Sequence, residues 1–208
     1  MQNEFPMYIL KALKDQYPNA HTELNYKTPL ELMIAVMLSA QATDVGVTKA
    51  TPALFAKFKT VHDFANADIA NIEKYISSIN YYKAKASYIK RACQKLIADF
   101  GGKVPDSLEK LVTVPGIGRK SANVILINAF NKAEGVVVDT HVSRVSQKLH
   151  LTSKKDPIKI EQDLMKIYPK ENWADVSHLF VLHGRYTCKA LTPKCNACPI
   201  SNFCPSKQ

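Results

Sequence analysis

Leu111-Val-Thr-Val-Pro-Gly-Ile-Gly-Arg-Lys-Ser-Ala-Asn-Val124 carries an apolar segment through a Pro-Gly-x-Gly turn and restarts it behind a pair of cations. Pro115 fixes its own φ, while Gly116 and Gly118 permit positive φ and close backbone approach, so the turn can aim several N–H groups outward at a helix start. A helix amino terminus attracts anions, because its first N–H groups lack intrahelical partners and the macrodipole is positive there. Alone, such a turn is an ordinary link between two helices. Arg119 and Lys120 change the balance, since cations crowding a positive helix end are unfavourable until an anion arrives. A nucleotide-binding P-loop is excluded: Arg119 stands between Gly118 and Lys120, where that motif runs from Gly directly into Lys.

Outward from this stretch, helical periodicity dominates, punctuated by caps and stops. The pattern predicts an all-α chain with helices over approximately 3–17, 29–42, 44–58, 61–65, 68–78, 82–99, 106–112, 118–131, 139–149, 156–168 and 171–187. Leu30-Glu-Leu-Met-Ile-Ala-Val-Met-Leu-Ser-Ala40 is apolar on nearly every face after its first turn, which predicts a central helix surrounded by others. Gly135-Val-Val-Val-Asp139 reads as an extended buried connector in preference to a strand. Seams at His21–Thr28 and Asn131–Gly135 divide the chain into a helical-barrel domain over 22–132 and a second domain that pairs 1–21 with 133–208.

The 208 residues are 46% apolar, enough to bury a core in one large or two small domains. Lys and Arg number 28 against 18 Asp and Glu, a formal charge of +10 that favours a polyanionic partner. The start has neither the basic nor the apolar region of a secretory signal, and no apolar run approaches a membrane span. A cytoplasmic protein is expected, nucleoid-associated if bacterial, with no membrane partner and acting as a monomer. Five cysteines leave one over in any disulfide framework. Cys93 lies in a helical pattern and reads as a buried structural thiol. The other four, Cys188-x6-Cys195-x2-Cys198-x5-Cys204, read as metal ligands, and on spacing alone zinc and an iron–sulfur cluster remain open.

Lysine attacks as a nucleophile only when its amine is neutral. A helix amino terminus, a neighbouring Arg and a desolvated pocket all disfavour the ammonium. Lys120 is placed for that treatment, and its target would be the electrophilic C1′ of a deoxyribose. Asp139, where the connector meets the next helix, can stabilise positive charge on the sugar or assist proton transfer; it can equally be an N-cap.

Leu38-Ser-Ala-Gln-Ala-Thr-Asp44, Leu111–Val124, Val138-Asp-Thr-His-Val142, His183-Gly-Arg185 and the cysteine quartet together resemble the endonuclease III family of DNA glycosylase/lyases, in the helix-hairpin-helix superfamily, in order and approximate spacing. The resemblance implies a two-domain helix-hairpin-helix glycosylase fold with a carboxyl-terminal iron–sulfur loop. It implies a bifunctional enzyme that removes oxidised pyrimidines from duplex DNA and cleaves abasic sites by β-elimination. Lys120 would be the Schiff-base nucleophile, Asp139 the essential carboxylate, and Gln41 the residue that fills the space left by an extruded nucleotide. Cys188, Cys195, Cys198 and Cys204 would hold a [4Fe-4S] cluster. Gly116, Gly118 and Arg119 would meet phosphate in the hairpin, and His141, Arg144, Lys189 and Lys194 are further backbone candidates, each equally explained by capping, ion pairing or solvation.

The family usually places Gly and an apolar wedge where this chain has Asn80 and Tyr81. Asn tolerates left-handed geometry, and Tyr81 can wedge between bases or be a partly buried core aromatic. Trp173 reads as a core anchor, and Arg185 as a contact of the cysteine loop. A sister branch that removes mispaired adenine carries a catalytic Glu in the helix occupied here by Ala35, lacks the hairpin lysine and usually adds a carboxyl-terminal domain; none of these is expected here. The alternative of a different class is a non-enzymatic helix-hairpin-helix protein that binds DNA and uses the cluster for stability.

Overall fold

The computed structural model describes residues 4–208. Eleven α-helices and three short 3-10 turns account for the regular structure among them, with no strand. The predicted start of the first helix at residue 3 lies outside the described residues. Two compact units emerge, one from Glu23–Lys132 and the other from residues 1–22 with Ala133–Gln208.

The Glu23–Lys132 unit is built on α2 (Pro29–Ser39). Every residue from Leu32 to Leu38 is buried, and α3 (Asp44–Lys57), α6 (Tyr82–Phe100) and α8 (Arg119–Phe130) pack against it. Thr28 caps its start by accepting from the Glu31 N–H at 3.2 Å, and Pro29 sits where a missing N–H costs nothing. The helix stops at Ser39, three residues before the predicted end. Gln41 turns to φ +53° and the Lys85 ammonium takes the carbonyls of Leu38 (2.8 Å) and Ala40 (2.7 Å), which removes the acceptors that a further turn would use.

α4 (Val61–Asn66) opens on a reciprocal capping box between Thr60 and Asp63, and α5 (Ile69–Ile76) on Asp68. α6 buries Ala86, Ile89, Ala92, Cys93 and Leu96, the spacing of one helical face, and ends at Gly101 in the left-handed conformation. α7 is a single turn, Leu108–Leu111. The two-turn helix expected over 106–112 is cut short because the amides of Thr113 and Val114 fold back onto Lys110 and Leu111, which begins the hairpin into α8.

The other unit packs α1 (Phe5–Gln16), α9 (Thr140–Lys148), α10 (Pro157–Ile167) and α11 (Trp173–Tyr186) around Leu10, Leu13, Val142, Val145, Leu164 and Phe180. Val136–Val138 is a buried connector outside any helix or strand, and its Val137 amide donates to Ser177 Oγ at 2.9 Å. Gly184 lets α11 lie against α9: a Cβ there would meet His141 Cβ at 2.9 Å and Val145 Cγ2 at 3.2 Å. Trp173 is half-buried and donates from Nε1 to the Tyr168 carbonyl at 2.9 Å.

Candidate active site and cysteine-lined cavity

In the hairpin, the Ile117 amide donates to the Val114 carbonyl at 3.0 Å and closes the turn. Gly116 takes φ +82°, and a Cβ on it would press on Met37 Cε at 3.0 Å and Tyr88 Cβ at 3.2 Å, so glycine is needed for both conformation and space. Gly118 does not adopt the positive φ its type allows. It is the N-cap of α8 at φ −92°, and a Cβ on it would meet nothing within 4 Å. No side chain caps α8, no acidic residue lies in its first turn, and Arg119 and Lys120 follow at once, both exposed. Lys120 therefore stands in the open at a positively polarised helix start and not in the desolvated pocket expected for it.

Two loops of the same unit carry Gln41 and Tyr81. Both residues are exposed and both hold left-handed backbone conformations, φ +53° and +59°, at a cost of roughly 1–2 kcal/mol for a residue with a Cβ. The expectation for Asn80 is corrected here: the left-handed residue is Tyr81, which precedes α6 directly. Tyr81 is 67% exposed, so it is no core aromatic. Asn80 has a different task, donating from Nδ2 to the Gln41 carbonyl at 3.2 Å. Lys85 is 7% exposed, and burial lowers its ammonium from the ordinary lysine range. Asn80 and Lys85 escaped the sequence analysis as supports. The available signal was a lysine at position 85 on the same face as Ile89, Ala92 and Leu96, where a solvated lysine has no place.

In the other unit, Asp139 is the N-cap of α9, and its Oδ1 accepts from the Val142 amide at 2.8 Å. Arg144 donates to the carbonyls of Gly184 (Nη2, 2.7 Å) and Cys188 (Nε and Nη2, both 3.2 Å), with His141 Nδ1 3.3 Å from Nη2. The guanidinium thus holds the start of the cysteine loop, and any phosphate it met would compete with these bonds. Thr187 O accepts from the amides of Lys189 (3.0 Å) and Lys194 (2.9 Å), closing the loop whose two lysine side chains are exposed.

Cys188, Cys195, Cys198 and Cys204 line one cavity together with Val145, Leu149, His183 and Ile200. Burial raises the thiols of Cys188 and Cys198 and the neighbouring cysteines add to it, while the Arg144 guanidinium pulls Cys188, and the Ile200 backbone pulls Cys198, the other way. No group of three or more His, Cys, Asp or Glu among the described residues is disposed to hold a single metal ion. His183, missed as a site residue, is 2% exposed with Nε2 3.8 Å from Cys198 Sγ. Burial pushes its imidazole down to about 4, which leaves a neutral ring with one N–H, and Nε2 is the nitrogen with a sulfur in reach. The structure therefore brings the Gln41 loop to the Asn80–Tyr81 loop in one unit, and the four cysteines to one cavity in the other.

Residues 34–170 match the HhH-GPD superfamily of base excision DNA repair proteins. Endonuclease III of Synechocystis sp. is 46% identical over 96% of this chain and 91% of its own length. That of Escherichia coli K12 is 40% identical over 96% and 94%. This chain belongs to the endonuclease III family. A solved structure of a trapped endonuclease III–DNA covalent intermediate superposes with a TM-score of 0.92 at 40% identity, covering 99% of this chain and 97% of the other. A non-covalent endonuclease III–DNA complex superposes with the same score, and a thermostable thymine-DNA glycosylase, at 20% identity and a TM-score of 0.88, shares the fold. The chain is accordingly a base-excision repair enzyme, a DNA glycosylase and abasic-site lyase, and the non-enzymatic reading gives way. Ala35 is fully buried within α2.

Proposed function

We propose that this enzyme removes oxidised pyrimidines from duplex DNA and cuts the resulting abasic site through a covalent Lys120 intermediate. The observation that carries the proposal is the start of α8: an uncapped helix end, open space over Gly118, and an exposed amine one residue beyond Arg119. A backbone phosphate lying against Gly118 satisfies the first N–H groups of α8. DNA closing over Lys120 then supplies the desolvation that the free protein does not.

With the nucleotide extruded, Lys120 Nζ forms a bond to C1′ while the C1′–N bond to the base breaks, and the departing base takes up a proton. Transfer of a proton from Nζ to O4′ as the C1′–O4′ bond opens leaves a C1′=N iminium and a free 4′ hydroxyl. Removal of a C2′ proton then expels the 3′ phosphate, and water returns Lys120 as the free amine. Asp139 stabilises positive charge on the sugar during base departure or assists the proton transfers. Gln41 fills the vacated stack and Tyr81 wedges beside it. Arg119, His141, Lys189 and Lys194 serve the phosphate backbone, with Arg144 chiefly tied to its own loop.

The cysteine-lined cavity suits a [4Fe-4S] cluster held by Cys188, Cys195, Cys198 and Cys204. The four sulfurs line one cavity, a soft thiolate set that a cluster or a zinc ion would accept, and the x6, x2, x5 spacing resembling that of the endonuclease III family favours the cluster. Held by these four thiolates, such a cluster would supply cross-linking and no hydrolysis. We further propose that the enzyme works as a monomer in the cytoplasm. No helix among the described residues is long and apolar enough to cross a membrane.

Base release and strand nicking measured on a panel of duplexes, each with one oxidised pyrimidine, an abasic site or no lesion, test the proposal. It requires both activities on oxidised pyrimidines. Nicking of abasic sites with no base release from any of them would reduce the enzyme to a lyase.

A further inference from the structure

Gln41 and Tyr81 come from loops 40 residues apart in sequence, yet both are anchored to the first turn of α6. The Lys85 amide donates to the Tyr81 carbonyl at 3.0 Å, and the Lys85 ammonium holds Leu38 and Ala40 at the end of α2. The Asn80 carboxamide then reaches across to the carbonyl of Gln41 itself. An ammonium at the carboxyl end of α2 also complements that helix's dipole. A left-handed residue with a side chain persists only where its surroundings over-determine it; for Gln41 the Lys85 and Asn80 side-chain bonds to the Leu38–Gln41 backbone do so, and Tyr81 is tied in beside them as the N-cap of α6. Gln41 and Tyr81 remain exposed, so the bonding holds the backbone of each and leaves both side chains presented.

Resting on the roles just proposed for Gln41 and Tyr81, we propose that Asn80 and Lys85 are positioning residues that lock the two loops into one preset two-pronged probe. Both side chains then enter a nucleotide gap together, and neither loop has to be ordered at the moment of extrusion. Preorganisation of this kind raises the rate of gap filling by removing an entropy cost from that step. Asn80 is specific to this arrangement: a glycine in its place has no amide to give, and the Gln41 carbonyl would be left to solvent. Lys85 acts one layer deeper, through the end of α2. Neither residue touches the reacting atoms.

The test follows extrusion by the fluorescence of 2-aminopurine placed beside an oxidised pyrimidine in duplex DNA, in stopped flow, for the native protein, Asn80→Ala, Gln41→Ala, Tyr81→Ala and the combined variants. Loss of one neutral hydrogen bond of this kind corresponds to roughly five-fold in rate. Asn80→Ala is expected to slow extrusion by about that factor, while lyase activity on a single-stranded abasic oligonucleotide, where no stack is opened, stays at the native level. Added to Gln41→Ala with Tyr81→Ala, it should have little further effect, since no prong remains to be positioned. Amide hydrogen exchange should quicken across Ala40–Thr43 in Asn80→Ala with the melting temperature held. Lys85→Met should do the same more severely; should it fail to fold, the exposed Asn80 still decides the matter. Native extrusion by Asn80→Ala, alongside slow extrusion by Gln41→Ala and Tyr81→Ala, overturns the coupling and leaves the prongs' roles intact. Native extrusion by Gln41→Ala and Tyr81→Ala overturns those roles and the coupling with them.

Discussion

Asp139 holds a helix and is proposed to serve chemistry with the same carboxylate, and a single substitution separates the two. Asn is as good an N-cap as Asp and keeps an oxygen for the Val142 amide, but carries no charge. Asp139→Asn is therefore expected to melt within a few degrees of the native protein while base release falls by at least an order of magnitude. Equal activity in the two would leave Asp139 a cap alone. Cys93 gives the contrasting case of a reactive group silenced by packing. Burial pushes its thiol up to about 12, from 9.0 when free. The folded state thus withholds a thiolate that the unfolded chain forms, so below pH 9 this thiol leaves stability untouched, and stability declines as pH rises from 9 toward 12. At pH 8 iodoacetamide should leave Cys93 unmodified in the folded protein and alkylate it in denaturant, as read by mass spectrometry of its peptide.

At the scale of elements, the close crossing of α9 and α11 depends on Gly184. Gly184→Ala places a methyl 2.9 Å from His141 Cβ and crowds Arg144 Nη2, the donor that holds the Gly184 and Cys188 carbonyls. Helix propensity gains up to about 1 kcal/mol from alanine, but overpacking costs about 1–3 kcal/mol and loosens the cysteine loop. The melting temperature should fall by several degrees, and an unchanged or raised value would show that the crossing relaxes freely. Most helices were legible because their caps are local: Thr28, Thr60, Asp68, Asp139 and Asp156 each mark a start by residue type. The end of α2 was not legible. Ala40-Gln41-Ala42 contains no Gly or Pro, and the group that ends the helix is a lysine from α6. Tyr81 at φ +59° was not legible either: no Gly or Asn marks the position, and its carbonyl makes only the first bond of α6, to the Lys85 amide. The hairpin was legible because Pro115 and Gly116 write their conformations into the chain.

For the whole molecule, a charge of +10 supplies a general attraction to phosphate, and two units divide the work between the hairpin and the cysteine cavity. Purified protein should contain close to four irons and four acid-labile sulfides per chain, with broad visible absorbance lost in Cys198→Ala; one zinc and no iron would replace the cluster with a tetrahedral ion. The charge and the cysteine spacing were legible from the outset, whereas the Arg144 clamp and His183 on the cavity wall depend on helices α9 and α11 meeting, which no local pattern announces. The proposed chemistry rests on the amine at the start of α8. Borohydride reduction during turnover on an abasic duplex, followed by mass spectrometry of the adducted peptide, should place the sugar on Lys120 and trap nothing in Lys120→Ala. Equal trapping by Lys120→Ala, or an adduct on another residue, would contradict it.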